Sequence, residues 1–381
     1  MKIGIVCPVY KPITQLTPGG LEVFCNTLAK GLIQKGHRVF LFASSDSHVE
    51  GVTLIPTAHQ SILSLKKNGN IDLITSILNR DPSITSLNNR TILFALKNES
   101  KLDIIHDNTF NTDMSFFSDI FRVPIITTIH IPIDTFITQQ KIQSQFSKRN
   151  NTYVAISDYQ RSLLPSIPYV IKNGVNLDDF SYADTAPNSI IWLGRIDKTT
   201  KKGLEESLLI ANQLQIKLDF VGYIEHEDYF LKEIKPLIKS NTQYRSPFLS
   251  LKQKSLFLSS GKAMLSPIGW EEPFGLTIIE AMACGTPIIG YAKGAYPEII
   301  EDGKTGYLVN SSHDDIRGNF ITNKTGIEGL KEAIKRMYSL TPNEYTNMRL
   351  RCRKLVEAKY SSQLMANNYI DLYKKVLSGA V

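Results

Sequence analysis

The sequence predicts an α/β protein made of two Rossmann-like, doubly wound domains. Three observations carry this. The order buried strand, glycine loop, helix occurs twice, once over residues 2–35 with Gly19 and Gly20 in the loop, and again from residue 189 with Gly194 and Gly203 in the loop; that order is the ligand-facing unit of a doubly wound sheet. At 381 residues the chain is too long for one ordinary core. Its strand candidates are short, unbroken apolar runs, the type buried on both faces of a parallel sheet.

Taken in order, residues 2–7 (Lys-Ile-Gly-Ile-Val-Cys) form the first strand. A loop with Pro8, Pro12, Pro18, Gly19 and Gly20 leads into a helix over 21–35, where Leu21, Phe24, Cys25, Leu28 and Leu32 recur at helical spacing until Gly36 stops it. Strands follow over 38–43 and 52–56. The polar region 57–100 has helical periodicity near 71–78 and 88–96 and no readable role. Residues 103–106 are a buried strand with Asp107 and Asn108 at its carboxyl end, and 124–129 are the next, ending at His130. Ligands of open α/β sheets gather beyond the carboxyl ends of the strands, so His106 and His130 are both well placed, although a lone histidine there is more often a satisfied structural group. Residues 153–157 form a strand that runs into an N-capped helix, and 169–175 close the first domain on an Asn173-Gly174 turn. Asp178-Asp179 reads as solvated turn chemistry, without a third ligand at metal-binding spacing, and 181–188 read as a linker. The expected domains are 1–180, joined by a final helix over about 361–381, and 188–360.

The second half repeats the theme. Residues 189–193 are a strand, followed by Gly194-Arg195-Ile196-Asp197 and Lys201-Lys202-Gly203 before a helix. Strands over 216–221, 243–247 and 262–267 and a helix over 228–238 come next. The stretch Trp270 to Pro287, W-E-E-P-F-G-L-T-I-I-E-A-M-A-C-G-T-P, reads as a loop, a helix over 276–283 and a strand from Pro287. Pro273 suits a helix start, Gly275 allows close backbone approach, and Gly285 is a normal stop. Gly275, Leu276 and Thr277 therefore present backbone N–H groups at the positive end of a helix, where an anion binds. Glu272 before the turn and Glu280 eight residues on add acceptors for hydroxyls, so the pattern suits a sugar nucleotide. Residues 294–298 and 302–308 read as structural turns, and helices are expected over 326–338, 344–359 and 361–377.

The string E-P-F-G-L-T-I-I-E-A-M-A-C-G-T-P resembles the signature of glycosyltransferase family 4, retaining enzymes of GT-B fold. Gly19-Gly20, Gly20-Leu21-Glu22-Val23, the T-T-I-H-I-P around His130, and G-R…K-G at Arg195 and Lys202 resemble further family segments, the second of them one bacterial branch. The resemblance implies two domains facing an interdomain cleft, the last helix crossing back to the first domain, and a metal-independent transfer of a hexose from a nucleotide-diphospho-sugar. It implies that Arg195 and Lys202 hold the donor diphosphate, with Lys201 a spectator. Glu272 and His130 would contact the transferred sugar and Glu280 the ribose. Gly19, Gly20, Phe274, Gly275, Leu276, Thr277, Arg245 and Ser246 would line the donor site, and Glu22, His106, Asp107 and Asn108 the acceptor side. Ser246 stands where relatives usually carry glycine, which leaves the base open. A UDP-sugar such as UDP-glucose is the preferred donor, with GDP-mannose second; the acceptor, a small metabolite, glycan or lipid-linked sugar, is unidentified. Attack from the face of the departing diphosphate is the family's usual account, and a double displacement stays open. A GT-B sugar-nucleotide epimerase and a non-catalytic sugar-nucleotide-binding protein are the alternatives.

Composition sets outer limits. The net charge of +7 admits anionic ligands or peripheral contact with an anionic membrane, but no nucleic-acid module is recognisable. The densest basic run, Arg349-Leu-Arg351-Cys-Arg353-Lys354, is expected on a solvated helix face, with a membrane or phosphate patch as the alternative. Cys7, Cys25, Cys284 and Cys352 have no metal spacing and read as reduced core thiols. With no signal peptide and no apolar run of 18 residues, a cytoplasmic protein without a transmembrane segment and without a cofactor is expected.

Overall fold

The computed structural model describes residues 1–17, 19–67, 82–109, 114, 117–133, 136–143, 150–183, 188–199 and 202–379. The helical segment expected near 71–78, Pro18 and Lys201 lie outside them. The chain forms two compact units, Met1–Gly174 with Ser362–Val381, and Val175–Ser361.

Among the described residues the first unit holds a parallel sheet in the order β3-β2-β1-β4-β5-β6-β7. The strands are β1 (Lys2–Val6), β2 (Arg38–Ser44), β3 (Thr53–Ala58), β4 (Ile104–Asp107), β5 (Ile125–Ile129), β6 (Asn151–Ala155) and β7 (Tyr169–Val170). Ile3 of β1 pairs with Val39 on one side and Ile104 on the other. Ile3, Ile5, Ile104 and Ile105 are wholly buried, which explains why these strands read as continuous apolar runs. One face is covered by the helix Gly20–Gln34, whose Phe24, Cys25, Leu28 and Leu32 join the core. The helix Ser362–Leu377 completes the same layer with Met365, Tyr369 and Tyr373. Part of the region without a readable role is the helix Pro82–Lys97.

The second unit holds β8 (Ser189–Leu193), β9 (Leu218–Val221), β10 (Thr242–Ser246), β11 (Gly261–Ser266), β12 (Ile288–Tyr291) and β13 (Gly306–Val309), parallel and in the order β10-β9-β8-β11-β12-β13. In both sheets the winding reverses beside the first strand, between β1 and β4 and between β8 and β11. In open α/β sheets such a reversal is where a ligand crevice forms, beyond the carboxyl ends. The helix expected over 228–238 is a composite, with a π-helical turn over Phe230–Ile234.

Two expectations need correction. The chain divides at Gly174/Val175 and not after residue 180, and residues 181–183 of the expected linker are bound into the second unit: Ser181 N–H donates to Ser255 Oγ at 3.0 Å, and Ala183 accepts from Arg349 at 2.9 Å. Residues 184–187 are outside the described set. The basic run on the helix Pro342–Lys359 is not simply a solvated face, because Arg349 is 1% exposed. Its guanidinium donates to the carbonyls of Ala183, Ser259, Gly261 and Cys284 and to the Tyr345 hydroxyl, at 2.9–3.3 Å. Ser259 ends the helix Leu251–Ser259, and Cys284 follows the helix Leu276–Ala283. The cation thus sits at two negative helix ends. Arg353 donates likewise to Phe180 O at 2.6 Å and Ala283 O at 3.0 Å.

Candidate functional site

In the second unit the site is built on the β8/β11 crevice. β8 ends at Leu193, and Arg195 stands two residues beyond it, 43% exposed at its side chain. Arg195 Nε donates to Asp197 Oδ2 at 2.7 Å, and the other oxygen of Asp197 takes Thr199 N–H at 2.8 Å and Thr199 Oγ at 2.6 Å. Asp197 is buried, so this is an anchored guanidinium, and its remaining N–H groups bond nothing among the described residues. The following turn returns to the same place: a Cβ on Gly203 would stand 2.2 Å from the carbonyl of Pro267, just past β11. Trp192 Nε1 donates to Lys202 O at 3.1 Å and fixes the backbone there.

Lys202 joins this turn to the central stretch. Its Nζ donates to Glu272 Oε2 at 2.7 Å and lies 4.4 Å from the centroid of the Trp270 ring. Trp270 Nε1 is buried and has no acceptor among the described residues. Gly275, at φ +112°, turns the chain into the helix Leu276–Ala283, with the expected bounds. Leu276 and Thr277 open it and have no preceding helical turn to accept their N–H groups. Phe274 is buried edge-on against Tyr360. Glu280 is buried in the helix and bonds Lys254 Nζ at 2.5 Å, a partner that nothing in the sequence marked.

Arg245 lies in a bulge of β10 and is held by Asp219 Oδ1 at 2.8 Å. Ser246 Oγ donates to Phe248 O at 2.5 Å and accepts from Phe248 N–H at 3.2 Å, and the Phe248 ring stacks on Tyr223. Ser246 thus holds the backbone of an exposed Phe248 that stacks on a half-buried Tyr223.

In the first unit Gly19 ends the loop before the helix Gly20–Gln34. The Glu22 carboxyl folds back against Gly19, buried, and burial raises its pKa against the lowering effect of Lys11. Beyond β4 the groups form a chain. Asp107 accepts from Thr109 N–H at 2.9 Å and Thr127 Oγ at 3.1 Å. Asn108 Nδ2 donates to His106 O at 3.2 Å, which leaves Oδ1 facing His130 Nε2 at 3.0 Å. An amide oxygen only accepts, so Nε2 of His130 carries the proton. Burial holds this imidazole neutral, with its pKa down to about 3, and Nδ1 is then an acceptor. Its ring packs against Phe24 at 4.5 Å.

His106 has a different environment. It is wholly buried, with Nδ1 2.7 Å from Tyr373 OH and Nε2 2.7 Å from Thr128 Oγ. Burial, and secondarily His130, lowers its pKa to about 3. Both nitrogens are engaged inside the core, and His106 ties β4 to the last helix.

Sequence reasoning missed Asp197, Trp270, Glu271 and Lys254. Asp197, two residues after Arg195, was the one with a local signal. No group of three His, Cys, Asp or Glu suited to a metal occurs among the described residues, and no helix there is long and apolar enough to cross a membrane.

Two family models match the chain: Glycosyltransferase Family 4 over residues 18–179 and Glycosyl transferases group 1 over 177–349. A phosphatidyl-myo-inositol mannosyltransferase of Mycobacterium leprae is 24% identical over 341 residues, covering 81% of this chain and 83% of the relative. Among solved structures, sucrose-phosphate synthase from Thermosynechococcus elongatus superposes with a TM-score of 0.78 at 17% identity, over 99% of both chains. Anabaena HepE in complex with UDP-glucose does so with a TM-score of 0.71 at 14% identity, over 98% of this chain and 100% of the other. These likenesses show the GT-B fold.

Proposed function

Because the chain belongs to glycosyltransferase family 4, retaining enzymes that use nucleotide-sugar donors, we propose that it transfers a hexose from a UDP-sugar such as UDP-glucose. The observation that carries this is the Lys202–Glu272 pair beside the start of the helix Leu276–Ala283, beyond the carboxyl ends of β8 and β11. A cation, helix amides and a carboxylate are gathered there as a diphosphate bearing a hydroxylated sugar requires.

The leaving group is a nucleoside diphosphate, so the barrier lies in charge growing on its β-phosphate. Arg195, Lys202 and the amides of Leu276 and Thr277 would stabilise that charge, and such preoriented donors contribute the largest catalytic effect. Glu280 would accept from the ribose and Glu272 from the transferred sugar. His130, neutral and protonated on Nε2, would offer Nδ1 to a sugar hydroxyl. The acceptor hydroxyl would attack from the face of the departing diphosphate, whose oxygen takes its proton. UDP-glucose bound to HepE supports the UDP-sugar reading, and the mannosyltransferase relative supports mannose as the second candidate for the transferred sugar.

A thermal-shift panel of UDP, GDP, ADP and their sugar conjugates tests this on wild type and Arg195→Ala. A ligand at 100 times its Kd stabilises by about 2.7 kcal/mol. One nucleotide should stabilise wild type, and less so the variant. No response from folded wild type would sink the proposal.

A further inference from the structure

Glu271 precedes the proposed sugar-side carboxylate and plays no part in the chemistry above, yet it anchors a closed ring of four charges. Arg317 grips it with two prongs, Nη2 to Oε1 at 2.7 Å and Nη1 to Oε2 at 3.3 Å. Lys293 Nζ lies 3.7 Å from Oε1. Asp315 closes the ring: it accepts from Lys293 Nζ at 2.9 Å, from Arg317 Nε, and from Ser311 Oγ at 2.6 Å. Burial alone would push the Glu271 carboxyl up, but the bonds from Arg317 and Gly294 N–H outweigh it and leave its pKa below the ordinary value. Two cations and two anions balance, and all four side chains are a third exposed or less.

The ring also holds the backbone of Glu272. Gly294 N–H donates to Glu271 Oε2 at 2.7 Å, and Ala295 N–H to Glu272 O at 2.9 Å. The turn lies so close that a Cβ on Gly294 would stand 2.2 Å from Glu272 O and 2.4 Å from its N. An isolated exposed ion pair contributes little. A two-pronged pair in a closed, half-buried ring is of another kind, since it fixes geometry as well as adding energy.

Resting on the reading of Glu272 as the carboxylate that meets the transferred sugar, we propose that Glu271 and Arg317 are positioning residues for it. Their ring sets where the Glu272 carboxylate points. It acts on sugar recognition and turnover and leaves nucleotide binding alone.

The test compares Glu271→Gln and Arg317→Leu, each alone and combined with Glu272→Gln. Calorimetry reads the Kd values of UDP and UDP-glucose (GDP and GDP-mannose if the panel selects them), and UDP release from UDP-glucose reads turnover. Glu271→Gln keeps an acceptor for Gly294 N–H and so guards against a folding artefact. In the wild-type background UDP should bind within about twofold of normal while turnover falls about 10- to 100-fold, the usual cost of losing an orienting partner. The preference for UDP-glucose over UDP should fall in both single variants and fall no further when Glu272→Gln is already present. Parallel loss of UDP affinity, or an equal loss of preference in both backgrounds, would overturn the proposal. An inactive Glu272→Gln with both single variants at wild-type turnover would sink the ring's role alone. Wild-type turnover in Glu272→Gln would sink the reading of Glu272 itself, and the ring's role with it.

Discussion

Glu272→Gln should do two opposite things, and the reason is the lysine it shares. In the structure Lys202 Nζ bonds Glu272 Oε2 at 2.7 Å, with side-chain exposures of 25% and 15%. The cation proposed for the diphosphate is therefore already paired at rest. A charge-assisted hydrogen bond contributes about 1.5–3 kcal/mol net, and partial exposure places this pair at the lower end. Glutamine keeps the shape and removes the charge, so the lysine becomes available to phosphate. Affinity for the free nucleoside diphosphate should rise by up to about tenfold, equivalent to about 1.4 kcal/mol. On the role proposed for Glu272 the sugar loses its charged acceptor at the same time, and turnover should fall by about 10²-fold, the scale of one preoriented group. Calorimetry with the nucleoside diphosphate and steady-state kinetics with its sugar conjugate read the two effects separately. If Glu272→Gln binds the diphosphate as wild type does, or more weakly, Lys202 is not the group that Glu272 and phosphate share.

Two further predictions concern stability. Arg349→Met should cost about 3–5 kcal/mol, because stranding a buried acceptor costs about 1–3 kcal/mol and the carbonyls of Ala183, Ser259, Gly261 and Cys284 all lose this donor. At about 2–4 °C per kcal/mol for a unit of this size, the melting transition of the second unit should drop by roughly 6–20 °C, and a loss below about 1 kcal/mol by urea titration would refute the assignment. His106 titrates near 3 when folded and near 6.5 when unfolded, so the unfolded chain binds the extra proton between these values and stability falls as pH falls below 6.5. Between about pH 7 and 5.5 this amounts to about 1.3 kcal/mol, which His106→Gln should remove from the pH dependence of urea unfolding; an unchanged dependence would show that burial does not hold His106 neutral.

What the sequence disclosed depended on how local the cause was. The helix Leu276–Ala283 was legible to the residue because Pro273, Gly275 and Gly285 bracket it within a dozen positions. The doubly wound sheets were legible because central strands such as β1 and β2 are apolar runs buried on both faces. The partners of the site residues were not. Lys254 is 26 positions from Glu280, and Arg317 is 46 from Glu271, and nothing in either neighbourhood marks the pairing. The run Arg349–Lys354 misled for a related reason: helical spacing says which side a cation faces, but not that carbonyls at two helix ends wait there for it. His106 and His130 both stand at strand ends, and only the motif around His130 favours it as the sugar-facing one. Tyr373 and Thr128, the first of them far along the chain, make the former a core residue.

The helix Ser362–Leu377 belongs to the unit that the chain begins, and this has a consequence during synthesis. When residue 174 leaves the ribosome, the first unit still lacks Met365, Tyr369 and Tyr373 from its core, and His106 and Thr128 face an unfilled layer. The whole of the second unit must be translated before that layer arrives, about 10–40 s later at ordinary elongation rates. The second unit, an unbroken segment from Val175 to Ser361, faces no such wait. The half that begins first is the half that finishes last, and until it does its nascent apolar face is a surface for chaperones to cover.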